Sequence, residues 1–237
     1  MSLQDRVVVI TGATGALGRV VTRQFADQGA NLALFSRSSE NLKAMLAELE
    51  LPTERTIFSA VDLGDEQSLQ SAISKVVDRF GRLEILIHLV GGWTGGSTII
   101  DTDIATVAEM LDQHLWTTYH LSRFALPQLE ANKWGRFIVI STPFADRPAA
   151  KLGAYSIAKA AQETLMLTLS EELKGSGVTA NILRVKTIDI AREKITAPKA
   201  ENAFWSTPEE ISSALLYLCT DQAAAINGAR IPLYGSY

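Results

Sequence analysis

A short β-strand that runs into a glycine-rich turn and then a helix constrains this chain most. Val7-Val8-Val9-Ile10 is an apolar, β-branched run, typical of a strand covered on both faces in a parallel sheet. Thr11-Gly12-Ala13-Thr14-Gly15-Ala16-Leu17-Gly18 follows and opens into an amphipathic helix predicted to reach about Gly29. Glycines at such a turn let the backbone approach a ligand, and the free N–H groups of a helix N-terminus favour an anion. The sequence therefore predicts a cradle for phosphate groups.

The glycine spacing of this turn is G-x-x-G-x-x-G. It differs from the G-x-G-x-x-G of the general dinucleotide fingerprint, so that motif is not matched. A tight strand-to-helix turn without a ligand stays open as the alternative at this point.

Strands and helices alternate along the whole chain, and this alternation indicates a parallel α/β sheet. The pattern predicts seven strands and six helices. The strands after the first are predicted at 31–35, 56–60, 84–89, 135–140, 178–183 and 230–233. A long helix is predicted over 103–129, and Thr207 with Pro208 marks the start of the last one. No repeat or linker divides the chain, so residues 1–237 are predicted to form one domain.

Composition excludes several classes of function. The 237 residues are 47% hydrophobic with a formal net charge of −4, which disfavours nucleic-acid binding. Cys219 is the only cysteine, so an internal disulfide is impossible and the cytoplasm is the expected location. His88, His114 and His120 lack the paired spacing of a metal site. Residues 1–6 do not resemble a signal peptide and no apolar run is long enough to span a bilayer, so no membrane partner is expected.

The residues after the second predicted strand bear on cofactor choice. Sites for NAD usually place a carboxylate here to bind the ribose 2′-hydroxyl, whereas sites for NADP need a positive group for the 2′-phosphate. Ser36-Arg37-Ser38 contains no acid, and the Arg37 guanidinium can pair with a phosphate while the serines donate to it. A solvated loop arginine is the alternative.

A glycine-rich loop, Val90 to Ser97, follows the fourth predicted strand and contains Trp93. Open α/β sheets bind ligands at this end of their strands. Trp93 is therefore a candidate to stack on a cofactor or a substrate, with a partly buried loop aromatic as the alternative.

Tyr155 and Lys159 lie four residues apart, on the same face of a predicted helix. A free tyrosine hydroxyl has a pKa of about 10, and a nearby ammonium favours the phenolate, which moves the group towards acid–base use near neutral pH. Ser141 and Thr142 end the fifth predicted strand, so their hydroxyls can meet Tyr155 above the sheet.

Together these features resemble the short-chain dehydrogenase/reductase family from about Arg6 to Leu233. The family's T-G-x-x-x-G-x-G motif is matched at Thr11, Gly12 and Gly18, whereas its middle glycine falls on Ala16, with Gly15 one residue before it. The resemblance implies an α/β fold, a Rossmann-type doubly wound seven-stranded parallel sheet with helices on both faces. It also implies reversible hydride transfer between a nicotinamide cofactor and a carbonyl or alcohol.

The resemblance also assigns roles to residues. Tyr155 would protonate the developing alkoxide, and Lys159 would lower the tyrosine pKa and hold the nicotinamide ribose. The family serine, 13 residues before the tyrosine, corresponds to Thr142, with Ser141 as the neighbouring alternative. Arg37 matches the basic position of members that prefer NADP(H) to NAD(H). The cofactor-binding residues implied are Thr11, Gly12, Thr14, Gly15, Ala16, Leu17, Gly18, Ser36, Arg37, Ser38, Asp62, Leu63, Val90, Gly91, Tyr155 and Lys159.

Several positions depart from the family pattern. His88-Leu89-Val90-Gly91 replaces the N-A-G segment, and Val185-Lys186 replaces a Pro-Gly pair near the nicotinamide. His114 stands where the family has an asparagine that supports a water-linked proton relay; it is a candidate relay group or a packed helix histidine. The substrate lid, 187–206, is short, so substrate identity is not implied.

The sequence thus predicts an NADP(H)-dependent oxidoreductase acting on a small-molecule carbonyl or alcohol, and the resemblance implies a homodimer or homotetramer. The alternative is an NADP(H)-binding sensor or scaffold with little catalysis, motivated by the cluster of departures.

Overall fold

Seven parallel strands form one sheet in this computed structural model, which describes residues 3–234. Residues 1–2 and 235–237, which the domain prediction includes, lie outside the described residues. The sheet order is β3-β2-β1-β4-β5-β6-β7. The strands are β1 Val7–Thr11, β2 Asn31–Ser36, β3 Thr56–Ala60, β4 Ile85–His88, β5 Gly135–Ser141, β6 Val178–Arg184 and β7 Arg230–Pro232. The predicted doubly wound parallel sheet is confirmed.

Helices cover both faces of this sheet. The bounds are α1 Ala16–Asp27, α2 Ser39–Glu48, α3 Glu66–Phe80, α4 Ile104–Leu111, α5 Thr117–Ala131, α6 Gly153–Glu172, α7 Glu193–Thr196 and α8 Pro208–Leu218. Alternate residues of β1 enter opposite layers: Val8 and Ile10 pack with α1 and α8, whereas Val7 and Val9 pack with α3, α5 and α6. Burial on both faces explains why the strand is apolar at every position.

The predicted long helix over 103–129 is interrupted. A π-helical turn, Asp112–Trp116, separates α4 from α5. Such turns insert a residue into the hydrogen-bond ladder and often occur at functional sites. His114 lies in the middle of this turn and is buried.

Two further details concern the region after β6. The short helix α7 lies within the predicted lid and was not predicted from the sequence. The predicted start of α8 is confirmed, because the Thr207 hydroxyl accepts from the Glu210 N–H at 3.3 Å and the Glu210 carboxylate accepts from the Thr207 N–H at 2.8 Å.

Strand order reverses between β1 and β4, because the chain moves outward to β3 before it returns beside β1. The carboxyl ends of these two strands leave a crevice where open α/β sheets bind ligands. The glycine-rich turn after β1 and the loop after β4 therefore meet at one place. Within residues 3–234, no helix combines the length and apolar character needed to cross a membrane.

Candidate active site

The turn after β1 depends on glycine for two reasons. Gly12 has φ of +69°, in the left-handed region that favours glycine. A Cβ added to Gly18, in the first turn of α1, would lie 2.3 Å from the Gly12 carbonyl oxygen and 2.6 Å from that of Ala13. Gly18 therefore brings the helix against the turn. It does not itself line the cleft, although it was predicted to bind the cofactor.

We expect Gly18→Ala to lower the free energy of unfolding by about 1–3 kcal/mol, because backbone must move to admit the methyl group. Urea denaturation of the purified protein measures this. Gly64→Ala is the control, since a Cβ there makes only an ordinary 3.4 Å contact with Asp62. An equal stability for the two variants would contradict the close-packing role of Gly18.

A cleft of about 410 Å³ lies above the crevice between β1 and β4. Nine of the residues predicted to bind a cofactor line it: Gly12, Thr14, Gly15, Ser36, Arg37, Asp62, Leu63, Val90 and Gly91. Three lining residues come from the interrupted central helix and were not predicted: Asp112, Gln113 and Thr117. A helix position carries no sequence signal for the cleft, because only the sheet order brings this helix beside the turn.

The other residues predicted at this cleft have different surroundings. Thr11 is fully buried and its hydroxyl contacts His88 Nδ1 at 2.7 Å. Ser38 caps α2 by accepting from the Asn41 N–H at 3.2 Å. Leu17 is 7% exposed and packs in the core, while Ala16 begins α1. None of these residues lines the cleft.

Arg37 is the cation on the wall of this cleft, where it is exposed. Within residues 3–234 no carboxylate forms an ion pair with it. Asp62 lines the same cleft and its carboxylate accepts from the Gly64 N–H at 2.9 Å. The cleft therefore offers an unneutralised guanidinium at the end of β2.

The first residue of α1 is preceded by Gly15, which supplies no side-chain cap to the helix N-terminus. The first N–H groups of α1 are therefore available to an anionic group. The open glycine turn, this helix N-terminus and Arg37 together fit a dinucleotide that carries phosphates.

The Thr142 side chain lies close enough to the Tyr155 hydroxyl to act on its pKa. Tyr155 is half-buried at the start of α6, and Thr142 is 1% exposed at the end of β5. Burial raises the pKa of Tyr155 above its ordinary value, and the Thr142 side chain opposes this. The Ser141 hydroxyl instead donates to Glu163 Oε1 at 2.7 Å, so the geometry favours Thr142 over Ser141 as the partner of Tyr155.

Lys159 lies one turn along α6 and is 5% exposed. Its Nζ donates to the Ile140 carbonyl at 2.8 Å and to Gln162 Oε1 at 3.0 Å. Burial lowers the pKa of Lys159 to about 7, although the Glu163 carboxylate opposes this. The expected lowering of the Tyr155 pKa by this ammonium is not found in the protein alone, where burial of the phenol dominates.

Two histidines line the inner side of the site. His88 is 1% exposed and contacts Thr11 through Nδ1, and its Nε2 lies 3.2 Å from the Thr117 hydroxyl. His114 Nε2 lies 3.0 Å from the Gly92 carbonyl, and its ring meets that of Tyr155 edge to face at 5.7 Å. Burial, followed by the charge of Lys159, lowers the pKa of each histidine to about 3. Both are therefore neutral at physiological pH.

Trp93 is 66% exposed, which excludes the partly buried loop aromatic. Stacking of its ring on a ligand stays a prediction. Bonds within the lid and to α8 hold the lid: Asp189 accepts from the Glu193 and Lys194 N–H groups at 2.8 and 2.9 Å. Ion pairs join Arg192 to Glu209 and Lys194 to Glu210 in the first turn of α8.

Sequence reasoning missed an ion-pair cluster centred on Glu163 of α6. Glu163 accepts from Arg184 Nη2 at 2.6 Å and from Arg230 Nε at 2.7 Å, and Arg184 Nη1 donates to Asp146 at 2.7 Å. Burial alone would raise the pKa of Glu163, but hydrogen bonds from Arg184, Ser141 and Arg230 together lower it. The available signal was an arginine directly after the apolar run of β6. Within residues 3–234, no group of histidine, cysteine and acidic side chains could hold a metal ion.

Comparisons with known families, proteins and structures show what this chain is similar to. The family model described as short chain dehydrogenase matches residues 6–198. The chain is 28% identical to the uncharacterized oxidoreductase YmfI of Bacillus subtilis, over 98% of this chain and 99% of that protein. It is also 28% identical to meso-2,3-butanediol dehydrogenase of Serratia marcescens, over 99% and 95%. A short-chain type dehydrogenase/reductase from Mycobacterium ulcerans shares the fold, with a TM-score of 0.88 and 23% identity over 98% and 90% of the chains.

Proposed function

Because the chain belongs to the short-chain dehydrogenase family, whose members are oxidoreductases acting on CH–OH groups, we propose that it interconverts a small-molecule carbonyl and alcohol with NADP(H). The observation that carries this proposal is the placement of the Tyr155 and Thr142 side chains together beside a glycine-lined cleft. When bound, the nicotinamide cofactor supplies or accepts the hydride. The protein supplies the proton and the binding site.

Each residue has a distinct role in the proposed mechanism. Thr142 donates a hydrogen bond that orients and polarises the substrate carbonyl. Tyr155 transfers its hydroxyl proton to the oxygen that develops negative charge during reduction, and accepts it back during oxidation. Lys159 holds positive charge near the phenol, so that the phenolate left after proton transfer is stabilised. The glycine turn, the N-terminus of α1 and Arg37 bind the cofactor phosphates.

The preference for NADP(H) over NAD(H) rests on Arg37. We expect the protein to bind NADPH more tightly than NADH. We expect Arg37→Glu to weaken NADPH binding by about 10- to 100-fold, the range of a lost charge-assisted hydrogen bond, with a much smaller effect on NADH. Fluorescence titration with each reduced cofactor measures both quantities.

Lys75→Glu is the matched control for this experiment. It makes the same change of two charges on the exposed face of α3, away from the residues that line the cleft. Equal affinities for NADPH and NADH in the wild-type protein, unaffected by Arg37→Glu, would contradict the NADP(H) assignment. Turnover is then tested with a panel of alcohols and carbonyls that begins with meso-2,3-butanediol.

A cofactor-binding protein with little catalysis is the second candidate. It is favoured by the arrangement around Lys159, whose ammonium bonds Ile140 and Gln162 while burial raises the pKa of Tyr155. Cofactor binding without turnover of any compound in the panel would support it. Turnover that depends on Tyr155 would exclude it.

A homodimer or homotetramer and a cytoplasmic location also belong to the proposal. Exposed apolar side chains support self-association: Trp116 and Tyr119 on the central helix and Ile157 on α6 are 47%, 43% and 49% exposed. Trp93 is proposed to contact the substrate. His114 is proposed to take part in proton relay to Lys159.

A further inference from the structure

Gln162 is a buried amide in the middle of α6, and both ends of its side chain have partners. Its Oε1 accepts from Lys159 Nζ at 3.0 Å, and its Nε2 donates to the Thr118 hydroxyl at 2.8 Å. Thr118 in turn donates to the His114 carbonyl at 2.6 Å. A buried polar side chain needs such partners, and here they join the lysine to the central helix.

This chain of hydrogen bonds is buried away from solvent, and all its donors point in the same direction. The four side chains of Lys159, Gln162, Thr118 and His114 are at most 5% exposed. Each donor in the chain points away from the ammonium and towards the His114 carbonyl, so the bonds polarise one another in the same sense. The amide orientation is fixed, because its oxygen must face the ammonium.

These hydrogen bonds restrict the direction of the Lys159 side chain. An ammonium has three donors, and two of those on Lys159 are directed to Ile140 and Gln162. One N–H remains for the side of the site where Tyr155 and the cleft lie. Loss of the Gln162 acceptor would free the ammonium to rotate.

We propose that Gln162 is a positioning residue that fixes the Lys159 ammonium and is itself held by the Thr118 hydroxyl, which connects it to the main-chain carbonyl of His114 in the π-helical turn. The inference rests on the proposed function in one respect, that Lys159 acts with Tyr155. The position of the lysine itself is independent of any substrate.

Several other charged and titratable groups face Lys159. A titration of Lys159 must separate the effect of Gln162 from theirs. Glu163 lies on its own helix and Tyr155 one turn before it, while His88 from β4 and His114 from the π-helical turn are neutral neighbours. Variants of Gln162 and Thr118 leave all four in place. A change in Lys159 titration would therefore report the lost acceptor.

The test follows the ¹³Cε and ¹⁵Nζ resonances of Lys159 against pH in lysine-labelled protein, assigned by their absence in Lys159→Met. We expect the midpoint to fall by about one pH unit in Gln162→Met, because the charged form loses an acceptor. Gln162→Glu should raise it. Thr118→Val should lower it by less than Gln162→Met does, and Thr118→Ser should restore the wild-type midpoint.

Thr164→Val is the matched control, because Thr164 on the exposed side of α6 also donates to a carbonyl four residues earlier. An unchanged Lys159 midpoint in both Gln162→Met and Thr118→Val would overturn the proposal. If the midpoint moves but the wild-type protein turns over no compound in the panel, the positioning role stands and the proposed catalysis fails. In an active enzyme, the pH profile of kcat should move with the midpoint.

Discussion

Replacing Tyr155 with phenylalanine is expected to lower kcat by about 10²- to 10⁴-fold, the range that general acid–base catalysis contributes. The substitution removes one oxygen atom, the hydroxyl that lies next to the Thr142 side chain. The ring and its edge-to-face contact with His114 remain. Steady-state kinetics with the carbonyl that the wild-type protein reduces best measures the effect.

NADPH binding separates loss of chemistry from loss of the site. We expect Tyr155→Phe to retain most of its affinity for NADPH, because the glycine turn and Arg37 are unchanged. Tyr217→Phe, on the exposed face of α8, is the control and should behave as wild type. A Tyr155→Phe enzyme with wild-type kcat would remove the tyrosine from the mechanism.

The second large effect concerns stability. Glu163→Gln is expected to lower the free energy of unfolding by about 3–5 kcal/mol, because the buried guanidinium of Arg184 loses its buried carboxylate partner and keeps only the half-exposed Asp146. Arg184 is 6% exposed and Glu163 is 1% exposed. Chemical denaturation at pH 7 measures the loss.

Two comparisons show whether burial is the cause. Glu171→Gln breaks an exposed ion pair with Lys174 on the same helix and should cost far less. A double variant, Glu163→Leu with Arg184→Leu, should be less destabilised than Glu163→Gln, since it buries no unpaired charge. Equal losses for Glu163→Gln and Glu171→Gln would contradict the account.

The same cluster predicts a pH dependence. The pKa of Glu163 is lower in the folded protein than its ordinary value, despite burial, because three side chains donate to it. Its contribution to stability is therefore complete above the unfolded pKa of about 4.3 and is lost as the pH falls through the folded pKa. We expect the stability difference between wild type and Glu163→Gln to be constant near neutrality and to shrink below about pH 4. A difference that persists unchanged at pH 3 would exclude this linkage.

Sequence reasoning succeeded where a local pattern carries the information. Periodicity placed every strand of the sheet within a residue or two, because runs buried on both faces must be apolar throughout. Thr207 and Pro208 marked a helix start through capping chemistry that needs only neighbouring residues. The π-helical turn at Asp112–Trp116 was missed, because an apolar periodicity is compatible with an unbroken helix.

In the candidate site too, some residues are indicated by the sequence, whereas only the fold brings the others together. Gly12 and Arg37 were predicted at the cleft from their places after strands, and Asp62 from the family resemblance; all three line it. Ser38 was predicted beside them and instead caps α2, since an N-cap serine satisfies the backbone locally. The bond between Gln162 and Thr118 spans 44 residues, and that between Glu163 and Arg230 spans 67, so no local pattern predicts either contact.

The sequence by itself determined the parallel sheet, the glycine turn and the placement of Tyr155 and Lys159 one turn apart on a helix, because each depends on a period or spacing within one segment. Only the tertiary structure decided which hydroxyl meets Tyr155 and what holds Lys159. These partners depend on which strand ends lie side by side in the sheet and on which polar groups are buried away from water. Ser141 is turned to Glu163, Thr142 to Tyr155, and the lysine to Gln162, because each buried polar atom needs a partner where the sheet order places one.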